Sequence, residues 1–302
     1  GLLANNILLV AALVVVLVGT LLPLIHKQIG LGSVSIGAPF FNMLFSWLMI
    51  PFSFLIGIGP LIRWKKDNIS SLAKPMLVSG VVSLTFAAVF VFAFAESFSG
   101  LAYMGWVMAL WIITMHCFEL YQRATHRYPF MVGIKKLQKS HWSMMMGHIG
   151  LAVTVIGIAM VQNYSIERDV RLAPGESFQI LDYDFYFSGV RDKDGPNYDG
   201  YVADFEITQN GNYVNTLHAE KRFYTTTRSM MTEAALEVGV TRDLYIAMGE
   251  RLDEEGAWAV RLYYKPFIRW IWAGSIFMAI GGLIAMSDKR YRFRKKAHEV
   301  RA

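Results

Sequence analysis

The chain has 302 residues, 54% hydrophobic and 17% charged, whereas an ordinary soluble domain is about 25% charged, so the composition points to a membrane protein. Its formal charge of +6 sits mainly in short segments flanking apolar runs and in the tail after Met286. That is the distribution of membrane topology, not of a nucleic-acid-binding face, and a single cysteine (Cys117) excludes an intrachain disulfide framework or a CxxC motif.

Crossing about 30 Å of hydrocarbon takes about 20 apolar residues in a helix. Five such stretches lie within residues 1–162, at about 4–25, 39–61, 75–95, 101–121 and 142–162, and a sixth covers 266–286. The first has neither a basic leading region nor a small-residue cleavage site, so it reads as a span, not a signal peptide; it begins without a methionine, and a preceding stretch of chain is expected. The connection 62–74 carries Arg63, Lys65, Lys66 and Lys74, and 122–141 carries Arg123, Arg127, Lys135, Lys136 and Lys139. The tail 287–302 is also strongly basic, whereas 26–38 holds only Lys27 and 96–100 holds no basic residue. By the positive-inside rule both ends are cytoplasmic and residues 163–265 lie outside. Trp64, Trp142, Trp270 and Trp272 fall where interfacial aromatic anchors are expected, and Arg269 sits at a span end from which it can snorkel.

Residues 163–265 read differently. Short alternating runs (177–181, 183–190, 201–208, 213–217, 243–248 and 258–264) are separated by turn signals at Pro174-Gly175, Asp192–Asn197, Asn210-Gly211-Asn212 and Glu255-Gly256. The spacing predicts six to eight antiparallel strands in a small barrel or sandwich. The fold class is therefore a six-span helical membrane bundle with one inserted all-β domain.

Ionisable groups within a bilayer are costly and need a reason. His148, about two turns into the fifth span, has the chemistry of an axial ligand for heme iron; a hydrogen bond to a neighbouring helix is the plainer alternative. At 100° per residue Met144, Leu151 and Val155 share its face, and Gly147, Gly150, Thr154 and Gly157 form a small-residue stripe that admits a close neighbour. His116, in WIITMHCFEL, could face His148 as a second ligand, although Glu119 offers it a partner on its own helix. His141 falls among polar residues and is expected to be solvated, and His26, His218 and His298 read as exposed. No HExxH, GxSxG or Walker sequence occurs, so hydrolase and nucleotide chemistry have no support.

Several stretches together resemble the CcmF/NrfE family of cytochrome c biogenesis proteins. They are GTLLPLIHKQIGLGSVSIGAPFFN (19–42), GHIGLAVTVIGIA (147–159), KRFY (221–224), MTEAAL (231–236), RDLYIAMGE (242–250) and YYKPFIRWIWAGSIFMAIGGLIAMSDKR (263–290). The order holds over almost the whole chain, which looks like that family's C-terminal part. The resemblance implies part of a heme lyase in the bacterial inner membrane, attaching heme covalently to CxxCH of apocytochrome c on the periplasmic face. It also implies a transmembrane heme b with His148 as an axial ligand. Implied partners are a periplasmic heme chaperone of the CcmE type, apocytochrome c with thiol-handling presenters of the CcmH type, and the N-terminal CcmF half. The family's tryptophan-rich segment for substrate heme and its other heme histidines do not occur in these 302 residues, so this chain by itself is not expected to catalyse ligation. The β domain is expected to position the apocytochrome or a partner through a surface including Asp182, Tyr183, Asp184, Tyr198 and Asp199. Two other readings remain at this stage: a non-catalytic membrane assembly or transport subunit whose β domain docks a partner, and a sensor whose β domain binds a ligand.

Overall fold

The computed structural model describes residues 2–62, 69–94, 97–254 and 256–288. Arg63, Trp64, Lys65, Lys66, Glu255, His298 and the basic tail beyond residue 288 lie outside them.

Six helices among the described residues are long and apolar enough to cross a membrane. They are α1 (Leu2–Gln28), α2 (Ala38–Ile58), α3 (Ile69–Phe94), α4 (Gly100–Thr125), α6 (Lys139–Tyr164) and α7 (Ile268–Met286). Between α4 and α6 lies a short helix, α5 (Phe130–Lys136), that the loop composition did not announce. Its Gly133 sits directly against the carbonyl of Ala124, where any Cβ would collide, so glycine is what lets α5 lie on the end of α4. The helix α4 is the best covered of the spans. Its Ser99 caps the N-terminus by accepting from the Ala102 N–H, and Trp106 and Trp111 anchor its inner side. Trp106 stacks on Phe90 of α3 with ring centroids 4.6 Å apart. Trp111 stacks on Phe54 of α2 at 5.3 Å, and its indole N–H donates to the Phe54 carbonyl. The helix α1 instead leaves its leucines and valines exposed along its length, a surface suited to lipid.

Glycines let α6 and α7 approach closely. A Cβ on Gly150 would lie 2.6 Å from the Gly274 carbonyl and 2.9 Å from Met278, and one on Gly281 would lie 2.8 Å from the Ser143 carbonyl. The small-residue stripe read from the sequence is this packing seam.

Contacts within the chain divide it into two compact units, one of them Gly157–Ile271 and the other formed by the helices before and after it. The former holds nine described strands, one more than the upper sequence expectation, arranged as two antiparallel sheets. One sheet has the order β1-β9-β8-β7, from β1 (Ile166–Leu172), β9 (Trp258–Pro266), β8 (Arg242–Arg251) and β7 (Ala235–Val238). The other runs β2-β3-β4-β5-β6, from β2 (Ser177–Ile180), β3 (Tyr183–Asp192), β4 (Tyr198–Gln209), β5 (Asn212–Tyr224) and β6 (Ser229–Glu233). This is a sandwich, which settles the alternative left open with a barrel.

Alternation places Phe185, Phe187, Phe205, Ile207 and Leu217 of one sheet in a shared core with Leu244, Ile246, Met248, Val260 and Leu262 of the other. Asn210 and Gly211 both have positive φ (49° and 78°) and form the two-residue turn joining β4 to β5, the twist-matched turn that an Asn-Gly pair favours. Asp243, buried at the start of β8, accepts from Arg269 Nε at 3.0 Å and from the Gly239 N–H at 3.1 Å. Arg269, expected only to snorkel, is thus paired with a buried carboxylate. Nearby, the Trp270 indole donates to the Val240 carbonyl at 2.9 Å.

Candidate functional site

The site lies where α4 and α6 meet. His116 is fully buried on α4, a consequence of its sharing a side with Ile112 and Glu119 on a helix whose inner face is apolar and aromatic. Its Nδ1 lies 2.8 Å from the Ile112 carbonyl, one turn back, and its Nε2 lies 2.7 Å from Nδ1 of His148 on α6. The two rings are nearly perpendicular, with an interplanar angle of 86° and centroids 4.8 Å apart. His148 itself is half-buried.

This geometry bears on both candidate ligands. Two imidazoles set either side of one metal ion need about 4 Å between the ligating nitrogens, at about 2 Å per bond. At 2.7 Å the facing nitrogens of His116 and His148 are hydrogen-bonded to each other. The bond consumes Nδ1 of His148, so any further partner of this ring would be met through Nε2. Both nitrogens of His116 are occupied, so it stands behind His148 and not opposite it.

One turn further along α4, Glu119 is also buried and is ion-paired with Arg123. Its Oε2 lies 3.6 Å from Nε2 of His141. His141 is buried (6% exposed), which overturns the expectation of a solvated imidazole. The polar neighbours in KSHWS suggested water, but α4 packs across this turn and brings a carboxylate to it. Glu119 correspondingly serves Arg123 and His141, not His116. These groups border a cavity of about 910 Å³ whose lining includes Pro60, Gln122, His126, Gln138, Ser140 and Met144. The sequence signal for this second pair was available. Glu119 and Arg123 continue the His116 face of α4, and His141 lies two turns before His148 on α6.

Among the described residues, His26 and His218 stand apart from this site. His26 is exposed and bonds the Gly32 carbonyl at 3.0 Å, and His218 pairs with Asp204 at 2.6 Å on the β sandwich. In the surface expected to meet a partner, Tyr183 proves to be a core residue that accepts from Arg242 Nε at 2.9 Å; a tyrosine at an inward strand position packs inside once its hydroxyl is satisfied. Asp182 accepts from Gln209, Tyr198 lies under Arg222, and Asp199 is exposed.

Comparison with known proteins bears on both units. The family described as the CcmF C-terminal beta-sandwich matches residues 163–266. A cytochrome c-type biogenesis protein CcmF from Haemophilus influenzae is 53% identical over 97% of this chain and 45% of its own length. The corresponding protein of Escherichia coli is 50% identical over 97% of this chain and 44% of its own. The NrfE protein of H. influenzae is 30% identical over 98% of this chain. The solved structure of the cytochrome c heme lyase CcmF shares the fold, with a TM-score of 0.74 at 20% identity, over 94% of this chain and 44% of that one. The chain thus spans somewhat less than half the length of these curated relatives. With the sandwich matched from edge to edge and the helices matched on both sides of it, the chain belongs to the CcmF/NrfE family of cytochrome c-type biogenesis proteins.

Proposed function

We propose that this chain forms part of the heme lyase of cytochrome c maturation, and that His148 is one axial ligand of a b-type heme held within the membrane. The observation that carries the reading is the disposition of the His148 ring. Its Nδ1 is tied to His116, its Nε2 is left for coordination, and it lies on a span that glycines hold rigidly against α7. A neutral imidazole in an apolar bundle is a natural ligand for heme iron. A b-type heme, when bound, supplies one-electron transfer to or from the substrate heme.

The lyase reaction joins two cysteine thiols of CxxCH to the vinyl groups of the substrate heme. Each S–H adds across a C=C bond, sulfur to one carbon and hydrogen to the other, so the addition itself is redox-neutral. Such a reaction depends on holding a flat ligand and two thiols in register, and positioning of that kind can lower a barrier without a dedicated acid or base. In this reading the β unit positions the apocytochrome or its thiol-handling presenter. The heme chaperone and the N-terminal CcmF half supply the substrate heme and its binding segment. The alternation of Lys74 and Arg123–Lys139 with sparsely charged connections supports cytoplasmic ends and a periplasmic β unit.

An optical spectrum of the purified protein, wild type beside His148→Ala, each with and without the family's N-terminal half, tests the proposal. A b-type Soret band present in the wild type and lost in the variant is the expected result. Absence of heme from every preparation, or full retention in His148→Ala, would withdraw it in favour of a membrane subunit that docks a partner without chemistry of its own.

A further inference from the structure

We propose that His116 is a positioning residue that sets the tautomer of His148, forcing the proton onto Nδ1 so that Nε2 presents a bare lone pair. The inference rests on reading His148 as an iron ligand and adds what makes it competent. A carbonyl oxygen can only accept, so the 2.8 Å contact between His116 Nδ1 and Ile112 O fixes a hydrogen on His116 Nδ1. A neutral His116 then has a lone pair on Nε2. The contact of 2.7 Å to His148 Nδ1 therefore requires His148 to be the donor, and the hydrogen must be on its Nδ1. The reverse assignment would make His116 a cation at a fully buried position, flanked by the apolar side chains of Ile112 and Met115. Ring orientation agrees, since rings at 86° let the N–H of one point along the plane of the other.

The arrangement matters because a neutral histidine in water prefers to carry its hydrogen on Nε2, the nitrogen that must coordinate. The chain Ile112 carbonyl, His116, His148 reverses that preference, and its far end is helix backbone, which does not rotate. Hydrogen bonds behind a ligating histidine fix its orientation and raise its basicity, and losing one typically lowers metal affinity about 10- to 100-fold. A merely structural His116 would fill space equally well as another side chain of similar volume.

The test uses the full chain labelled with ¹⁵N-histidine in lipid bilayers, where nitrogen shifts distinguish the two tautomers directly. The wild type should show His148 with its hydrogen on Nδ1, His116→Leu should move it to Nε2, and His116→Gln, whose amide oxygen can still accept, should keep it on Nδ1. A wild-type His148 protonated on Nε2 overturns the proposal whatever the variants do to folding. In heme titrations of the same proteins, His116→Leu should bind about 10- to 100-fold more weakly, with His116→Gln restoring most of the loss. If His148→Ala keeps its heme, the ligand reading itself fails. If His148→Ala loses heme while His116→Leu keeps the wild-type tautomer and affinity, only the relay fails.

Discussion

The seam between α6 and α7 yields a sharp prediction, because it is built from backbone contacts that no side chain can relieve. In Gly274→Ala the new Cβ would fall onto the Thr154 hydroxyl and the Gly150 carbonyl, both well inside contact distance. In Gly150→Ala it would lie 2.6 Å from the Gly274 carbonyl and 2.9 Å from the Met278 nitrogen. To restore ordinary van der Waals separation the two helices must move apart by the better part of an ångström, and the packing on either side of the contact is lost with it. Overpacking of this kind costs about 1–3 kcal/mol. In a bilayer it is felt in full, since helix association there rests on packing and not on a hydrophobic drive. The internal comparison is Gly282→Ala on the same helix, where a Cβ meets nothing within 4 Å. Unfolding of the purified chain in mixed micelles with rising dodecyl sulfate, followed by tryptophan fluorescence, should show a lower midpoint for Gly274→Ala and no loss for Gly282→Ala. Equal midpoints for the two variants would refute the claim that this seam is close-packed.

Two further outcomes follow from the β unit. Asp243→Ala removes the acceptor for Arg269 and for the Gly239 N–H; because Arg269 is half exposed, the loss should be about 1–2 kcal/mol, read as faster amide exchange across residues 239–243. Asp169 is held below the usual carboxylate range by its hydrogen bond from Arg261, and Asp253 by the Ala257 N–H and then Arg171. Each folded value lies below the unfolded one of about 3.9, so their contribution is present above about pH 4 and lost as pH falls through the folded values. Asp253→Asn should accordingly flatten the acid limb of stability below pH 4 and leave the neutral plateau with a fixed offset; an unchanged acid limb would show that this carboxylate does not govern it.

Much of this protein was legible in the chain itself. The six spans follow because the cost of placing a residue in hydrocarbon adds up locally, and a window of about 20 residues already contains the answer. The core strands β3, β4, β8 and β9 announced themselves by alternation, and the Asn210-Gly211 turn by its composition. The strands β1, β6 and β7 did not. In β1, Glu167, Arg168, Asp169 and Arg171 obscure the apolar positions, and it is a strand because β9 pairs with it, Asp169 standing opposite Arg261.

His148 and the glycine stripe were visible as residues, but their partners were not. His116 and His148 are 32 positions apart, and whether they oppose each other across an ion or bond to each other depends on how α4 and α6 are rotated about their axes. The same rotation buries His141 beside Glu119 although its sequence neighbours are polar. Hydropathy and spacing, which are local sums, determined where the chain crosses the membrane and singled out His148 as an imidazole within a span. Which nitrogen of that imidazole is free was decided only by tertiary packing, because a hydrogen bond depends on distances between helices that no local sum contains.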